Sequence, residues 1–270
     1  MNTEPQILLT NDDGIKSPGL WAAAEALDEL GFVTVVAPKE QSSGTGRSFP
    51  SFCDGDVHQE LLVVNGKEWT VHSLGGTPAM AVLYGVLGLI PGKPDLVVSG
   101  INYGLNVGSG VTISGTVGAA LEGASAGIPS LAISLETAPE FHSTYSREVD
   151  FKTAGHFTKY FAEKLLARSM PEDVQVLKVE VPADATPETP WQVSRLSTMR
   201  FYEPNASSNK TWGEGNVVMG YDLAHDYDRS APGTDSYTVI NQRAVAVTPL
   251  SLDLTSRVDF KELQQLLEKI

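Results

Sequence analysis

One phrase recurs along this chain and constrains its fold more than any other feature. A short apolar, β-branched run stops at a small polar or glycine-rich cluster, and a stretch with helical spacing follows. The first instance is Gln6 to Thr10 (Q-I-L-L-T), which ends at Asn11-Asp12-Asp13-Gly14. An apolar run without alternation reads as a buried strand with a loop at its carboxyl end. Ser17-Pro18 then supplies an N-cap followed by proline at the first helical position. Leu20, Ala24, Leu27 and Leu30 form one apolar stripe, and Gly31 ends the helix. Phe32 to Ala37 is a second β-branched run, which completes a βαβ unit.

The phrase repeats further on. His58 to Asn65 and Glu68 to Leu74 are expected to form a hairpin around Asn65-Gly66. Thr77-Pro78 opens a helix to about Leu89, and Pro94 to Ser99 is the next buried strand. A glycine-rich stretch, Gly100 to Gly115, leads into a small-residue helix from about Thr116 to Ala126. Pro129 to Leu135 reads as a strand, Ser146 to Arg168 as a long amphipathic helix, and Val174 to Val181 as a further strand. This alternation predicts an α/β fold, a doubly wound and mostly parallel sheet in a Rossmann-like three-layer arrangement.

Beyond Pro182 the rhythm is lost. Thr186 to Ser236 is rich in Pro, Asn, Gly and aromatics and reads as hairpins and loops. Arg243 to Thr248 is a last strand, and Val258 to Ile270 a terminal helix. The expected organisation is a core over 1–182, an extension over 183–250 that returns a strand to the core, and a helix over 251–270.

The net charge of −14 argues against a DNA or RNA duplex as partner, since phosphate neutralisation needs clustered Lys and Arg. An anionic ligand would have to be held locally, by cations, backbone N–H groups or helix N-termini. The single cysteine, Cys53, leaves no intramolecular disulfide and no cysteine-based zinc cage. Met1 to Gln6 does not read as a signal peptide, and the longest apolar run, Ala79 to Ile90, is too short to span a bilayer. A cytoplasmic location, away from membranes, is expected.

Ligands of open α/β sheets bind outside the carboxyl ends of the strands. Asn11 to Gly14, Ser42-Ser43-Gly44 and Ser99 to Asn102 all lie there. Adjacent carboxylates repel, and a cation beside Asp12 and Asp13 would keep both ionised. Neutral oxygens from Ser43 and Asn102 suit Mg²⁺ or Mn²⁺ better than zinc. Taken alone, Asp12-Asp13 is better explained by turn chemistry, with Asn11 bonding backbone and Gly14 at positive φ. The joint placement at one sheet edge moves the balance toward a metal. Ser114-Gly115-Thr116 opens a helix and reads equally well as a phosphate cradle or as an ordinary N-cap. A Walker A lysine is missing there, and no G-x-G-x-x-G follows the first strand. The five histidines (His58, His72, His142, His156, His225) show no metal-pair spacing and read as surface or packing residues. Arg47 could reach a phosphate, but reads first as a solvated loop charge.

Taken in order, these segments resemble the SurE family of nucleotidases, the stationary-phase survival proteins. The matching text is I-L-L-T-N-D-D-G (Ile7 to Gly14), V-V-A-P (Val35 to Pro38), S-S-G (Ser42 to Gly44) and G-T-P-A-M (Gly76 to Met80). The most specific piece is P-D-L-V-V-S-G-I-N-Y-G-L-N-V-G (Pro94 to Gly108), followed by S-G-T-V-G-A-A-L-E-G (Ser114 to Gly123). G-T-D (Gly233 to Asp235) and T-P-L (Thr248 to Leu250) also fit. The resemblance implies one divalent cation, Mg²⁺ or Mn²⁺, on Asp12, Asp13, Ser43 and Asn102. Asn11, Gly44, Ser114, Gly115 and Thr116 would meet phosphate. It implies hydrolysis of nucleoside 5′- and 3′-monophosphates, polyphosphate in some members, and homodimers or homotetramers built through C-terminal elements. The chain departs from the family between Gly108 and Ser114, where S-G-V-T-I replaces a pattern with an acidic residue. In-line attack of water on phosphorus is the expected chemistry, with Asp12 or Asp13 as proton acceptor. The rivals are a covalent aspartyl-phosphate route, a non-catalytic nucleotide- or metal-binding module, and a nucleotide-sugar transferase.

Overall fold

The computed structural model describes residues 4–53, 55–206 and 219–268. Strand β1 (Gln6–Thr10) is followed by α1 (Pro18–Leu27), β2 (Phe32–Pro38), the hairpin β3 (Val57–Val64) and β4 (Lys67–Leu74), and α2 (Pro78–Tyr84). Next come β5 (Leu96–Tyr103), α3 (Gly115–Ser125), β6 (Ser130–Leu135), α4 (Lys152–Ala167) and β7 (Val176–Val181). The remainder holds β8 (Trp191–Val193), the hairpin β9 (Tyr202–Ala206) and β10 (Met219–Leu223), α5 (Asp235–Ile240), β11 (Val245–Leu250) and α6 (Phe260–Leu267). Nine strands make one sheet in the order β3-β4-β2-β1-β5-β6-β7-β11-β8, and β9 and β10 pair separately.

The block from β4 to β7 is parallel throughout. Antiparallel pairings occur at its two ends, where β3 joins β4 and β11 joins β7. Side chains alternate across the sheet as strand geometry requires. Ile7 and Leu9 pack into the layer that contains Leu20, Leu27, Phe157 and Phe161 of α1 and α4. Leu8 between them packs with Ala81, Val82 and Ala119 of α2 and α3 on the opposite face. The result is three layers with the sheet in the middle. Fully buried side chains such as Leu8 and Leu20 each contribute about 1.5–3 kcal/mol relative to exposure.

Local chemistry explains most boundaries. Asn65 (φ 49°) and Gly66 (φ 83°) both occupy the left-handed region, as a type I′ hairpin turn demands. Thr77 and Ser114 cap α2 and α3 by accepting the N–H groups of Met80 and Val117. Ser17 stands at the N-cap of α1, but its side chain makes no capping bond, and Pro18 alone sets that start.

Three expectations need correction. The strand expected to stop at Ser99 continues to Tyr103, because β5 carries a bulge. Its register against β6 jumps from Ser99 opposite Ala132 to Asn102 opposite Ser134. Gly100 therefore lies inside a strand at φ 135°, where a Cβ would sit 2.3 Å from the Ile133 carbonyl oxygen. The long helix begins at Lys152 and not near Ser146. Successive turns precede it, and the Asp150 carboxylate takes the Lys152 N–H at 2.9 Å. Within Thr186 to Ser236, expected to hold only hairpins and loops, the short helix α5 begins at Asp235. Within the same extension, residues 207–218 lie outside the described residues.

Candidate active site

The chain grows from β1 toward β2 on one side and toward β5 on the other, so the winding reverses between β1 and β5. A crevice at the carboxyl ends of those strands is the expected ligand position. Asn11 shapes its floor. Its Oδ1 accepts the Gly14 N–H at 3.1 Å and its Nδ2 donates to the Gly14 carbonyl at 3.2 Å, with the residue fully buried. Gly14 takes φ 97°, which closes the turn. The side chain of Asn11 is thereby engaged by the loop itself.

The two acids that follow face different partners. Asp12 Oδ1 accepts the Thr116 hydroxyl at 2.5 Å, and Gly115 packs so closely that a Cβ on it would lie 2.8 Å from Asp12 Oδ2. Asp12 therefore meets the first turn of α3, where free N–H groups and the helix dipole favour negative charge. Asp13 Oδ2 accepts the Tyr103 N–H at 3.2 Å, and its Oδ1 accepts Gln41 Nε2 at 3.3 Å. The loop after β2 closes the arrangement, with the Ser42 N–H donating to the Asp12 carbonyl at 2.7 Å. The Ser42–Gly44 segment is thus bonded to the backbone of the acid loop, and Tyr103, the residue after the Ser99–Asn102 segment, is bonded to Asp13.

Burial makes the pair costly. Asp12 is 4% and Asp13 2% exposed. Burial raises the pKa of Asp12, against hydrogen bonds from Thr116 and Gly115 that lower it. Asp13 lies well above the ordinary carboxylate value, first through burial and then through the neighbouring charge of Asp12. Among the described residues no Lys, Arg or His forms an ion pair with either acid. Buried carboxylates without a counter-ion are disfavoured, so the arrangement fits an added cation.

The available donors favour a hard ion. No cluster of three or more His, Cys, Asp or Glu suited to a metal occurs among the described residues. Soft or imidazole-rich coordination is therefore not offered here, whereas two carboxylates with neutral oxygens are. Asn102 donates its Nδ2 to the carbonyls of Tyr103 and Gly104, leaving Oδ1 as its remaining polar atom. Ser43 is exposed beside Ser42. Thr10, at the end of β1, and its register partner Ser99, inside β5, also bury hydroxyls that no described group bonds.

Other residues at the site have partners far off in sequence. Gln41 bridges Asp13 and the His142 carbonyl. His142, buried against Gly104, bonds the Tyr221 hydroxyl through Nδ1 at 2.9 Å and so docks the β9–β10 hairpin beside the crevice. Burial, then the charges of Asp13 and Asp12, raise the Tyr221 pKa. No local pattern marks Gln41, His142 or Tyr221. Arg47, read first as a solvated loop charge, is exposed, and its Nε pairs with Glu122 of α3 at 2.6 Å.

The profile of a family described as "Survival protein SurE" matches residues 7–203 of this chain. This chain belongs to the SurE family. Among its relatives, the 5′-nucleotidase SurE of Thermococcus gammatolerans is 40% identical over 265 residues, covering 97% of this chain and 96% of that protein. The 5′-nucleotidase SurE of Methanothrix thermoacetophila is 38% identical, covering 98% and 99%. The crystal structure of the SurE protein from Aquifex aeolicus superposes with a TM-score of 0.75 at 33% identity, covering 97% of this chain and all of that one. The three-layer α/β architecture is thus the SurE architecture, and the family profile spans β1 to β9, including the acid pair, Asn102 and the start of α3.

Proposed function

We propose that this SurE chain is a metal-dependent phosphomonoesterase that releases phosphate from nucleoside 5′-monophosphates, and from 3′-monophosphates as well. The observation that carries this reading is the buried acid pair, joined to no Lys, Arg or His among the described residues and set against a helix N-terminus at the switch point of the sheet. Relatives bearing the name 5′-nucleotidase over nearly the whole chain support the substrate class.

Asp12, Asp13, Ser43 and Asn102 would hold one Mg²⁺ or Mn²⁺ per subunit. When bound, such an ion supplies positive charge against the phosphoryl oxygens. Ser114, Gly115 and Thr116, with Gly44, would line the phosphate position at the dipole-positive end of α3. Asn11 keeps the acid loop in shape. A carboxylate oxygen of Asp12 or Asp13 accepts the proton of the attacking water. Assembly through C-terminal elements and a cytoplasmic location belong to the same proposal. No helix among the described residues is long and apolar enough to cross a membrane.

The test is release of inorganic phosphate from adenosine 5′-monophosphate. Turnover should appear with Mg²⁺ or Mn²⁺, vanish with EDTA, and fall at least about 100-fold in Asp12→Asn with the circular dichroism spectrum unchanged. Metal-independent release, or an active Asp12→Asn, would sink the assignment.

A further inference from the structure

Behind the site lies a second charged group that the mechanism leaves unused. Lys178 of β7 is fully buried and pairs with Glu180 Oε1 and Asp235 Oδ2, each at 3.1 Å. Glu180 and Asp235 are fully buried too. One ammonium cannot satisfy every oxygen of two buried acids, and the remaining acceptors must be met by other donors. Those donors are backbone N–H groups. Glu180 Oε2 accepts the Asn106 N–H at 2.8 Å, and Asp235 Oδ2 accepts the Gly108 N–H at 3.1 Å. Asp235 Oδ1 accepts the N–H groups of Ser197 and Ser236, both at 2.9 Å. A side-chain link, from Asn106 Nδ2 to Ser134 Oγ at 3.1 Å, runs beside them.

Asn106 and Gly108 belong to the segment that joins Asn102 to Ser114. One end of that segment carries a proposed cation ligand, and the other carries the proposed phosphate cradle. Two of its N–H groups thus hang on one buried ammonium and its two acids.

We propose that Lys178 is a positioning residue for phosphate-ester hydrolysis: by holding the Glu180 and Asp235 side chains inward, it fixes the Asn106–Gly108 segment and hence the spacing between Asn102 and the start of α3. This role presupposes the phosphomonoesterase reading of the acid pair. Lys178 and Glu180 come from one strand and Asp235 from a helix 57 residues beyond Lys178, so the triad also ties the C-terminal extension to the active loop. A salt bridge retained only for stability would not need its remaining acid oxygens aimed at loop amides.

The decisive comparison is Glu180→Ala, which removes the acceptor for Asn106, against Glu180→Gln, which keeps one. On the full chain with Mn²⁺ and adenosine 5′-monophosphate, Glu180→Ala and Lys178→Met should lose about 10- to 100-fold in kcat/KM, and Glu180→Gln should stay near wild type. Amide hydrogen exchange in peptides spanning 104–114 should quicken about tenfold in Glu180→Ala and not in Glu180→Gln, because one loop hydrogen bond is lost only in the first. Phe161→Leu, a core change on α4 away from the site, controls for stability and should leave kcat/KM unaltered. Folded Glu180→Ala with unchanged exchange and activity overturns the positioning role, as does an equal loss in Phe161→Leu. Should Lys178→Met fail to fold, the Glu180 pair still decides. A wild type that releases no phosphate, with exchange behaving as expected, refutes the hydrolase reading and not the anchoring of the loop.

Discussion

In the folded chain Asp13 is buried beside Asp12, and both carboxyl groups titrate above the ordinary range because burial disfavours their charged forms. The unfolded chain releases the same protons near pH 4. Between that point and the raised folded value the native state holds more protons, so the pair's contribution to stability is full below about pH 4 and is lost as pH rises through the folded pKa. Asp13→Asn removes the charge while keeping the shape. In EDTA the variant should therefore melt above wild type at pH 8, with the gap closing toward pH 4. Mn²⁺ should raise the wild-type melting temperature and leave Asp13→Asn nearly unmoved. Thermal unfolding across pH, with and without Mn²⁺, checks both statements. Identical melting at every pH would mean that the pair carries no buried charge. Turnover in this variant should be lost, so the residue illustrates stability conceded to function.

At the scale of elements, the meeting of α3 with the acid loop is where one methyl group matters. Alanine is a better helix former than glycine by about 1 kcal/mol, so propensity alone favours Gly115→Ala. A Cβ there would stand 2.7 Å from Asp12 Cβ and 2.8 Å from its Oδ2, and Asp12 would have to move. Activity should fall about 100-fold while the melting temperature changes little; steady-state kinetics beside a thermal scan separates the two. The same elements show what a sequence can disclose. Leu8, Val35 and Val97 sit in unbroken apolar runs because parallel strands are covered on both faces, and that pattern survives without coordinates. The acid pair was legible because polar clusters end those runs. Gly100 misled, since a glycine inside a bulged strand looks like the start of a loop. Helix α5, Asp235–Ile240, is too short to show a period. Arg47 with Glu122, and Gln41 with His142, are partners about a hundred residues or less apart that only the fold brings together, and no local spacing encodes such pairs.

For the whole molecule, α6 poses the question of what completes it. Every residue of Phe260–Leu267 is exposed, although Phe260, Leu263, Leu266 and Leu267 give it an apolar side. Leu254 and Val258, just before it, are exposed as well. An isolated helix shorter than about 12–15 residues is marginal in water, and an unpacked apolar stripe makes it worse. The Asp259 cap, which takes the N–H groups of Lys261 and Glu262, contributes about 1 kcal/mol, too little to hold the helix alone. A second copy of the chain is the occupant that the proposed C-terminal assembly supplies. Light scattering should then give a mass that is a multiple of 28.9 kDa. Burying a leucine is worth about 1.5–3 kcal/mol, so Leu263→Glu with Leu267→Glu should weaken association by about 100-fold or more and shift the protein toward monomer. The core sheet, which shares no buried residue with α6, should keep its circular dichroism in that variant. A wild type that runs as a monomer while α6 resists proteolysis would show instead that the helix is held by something other than its own kind.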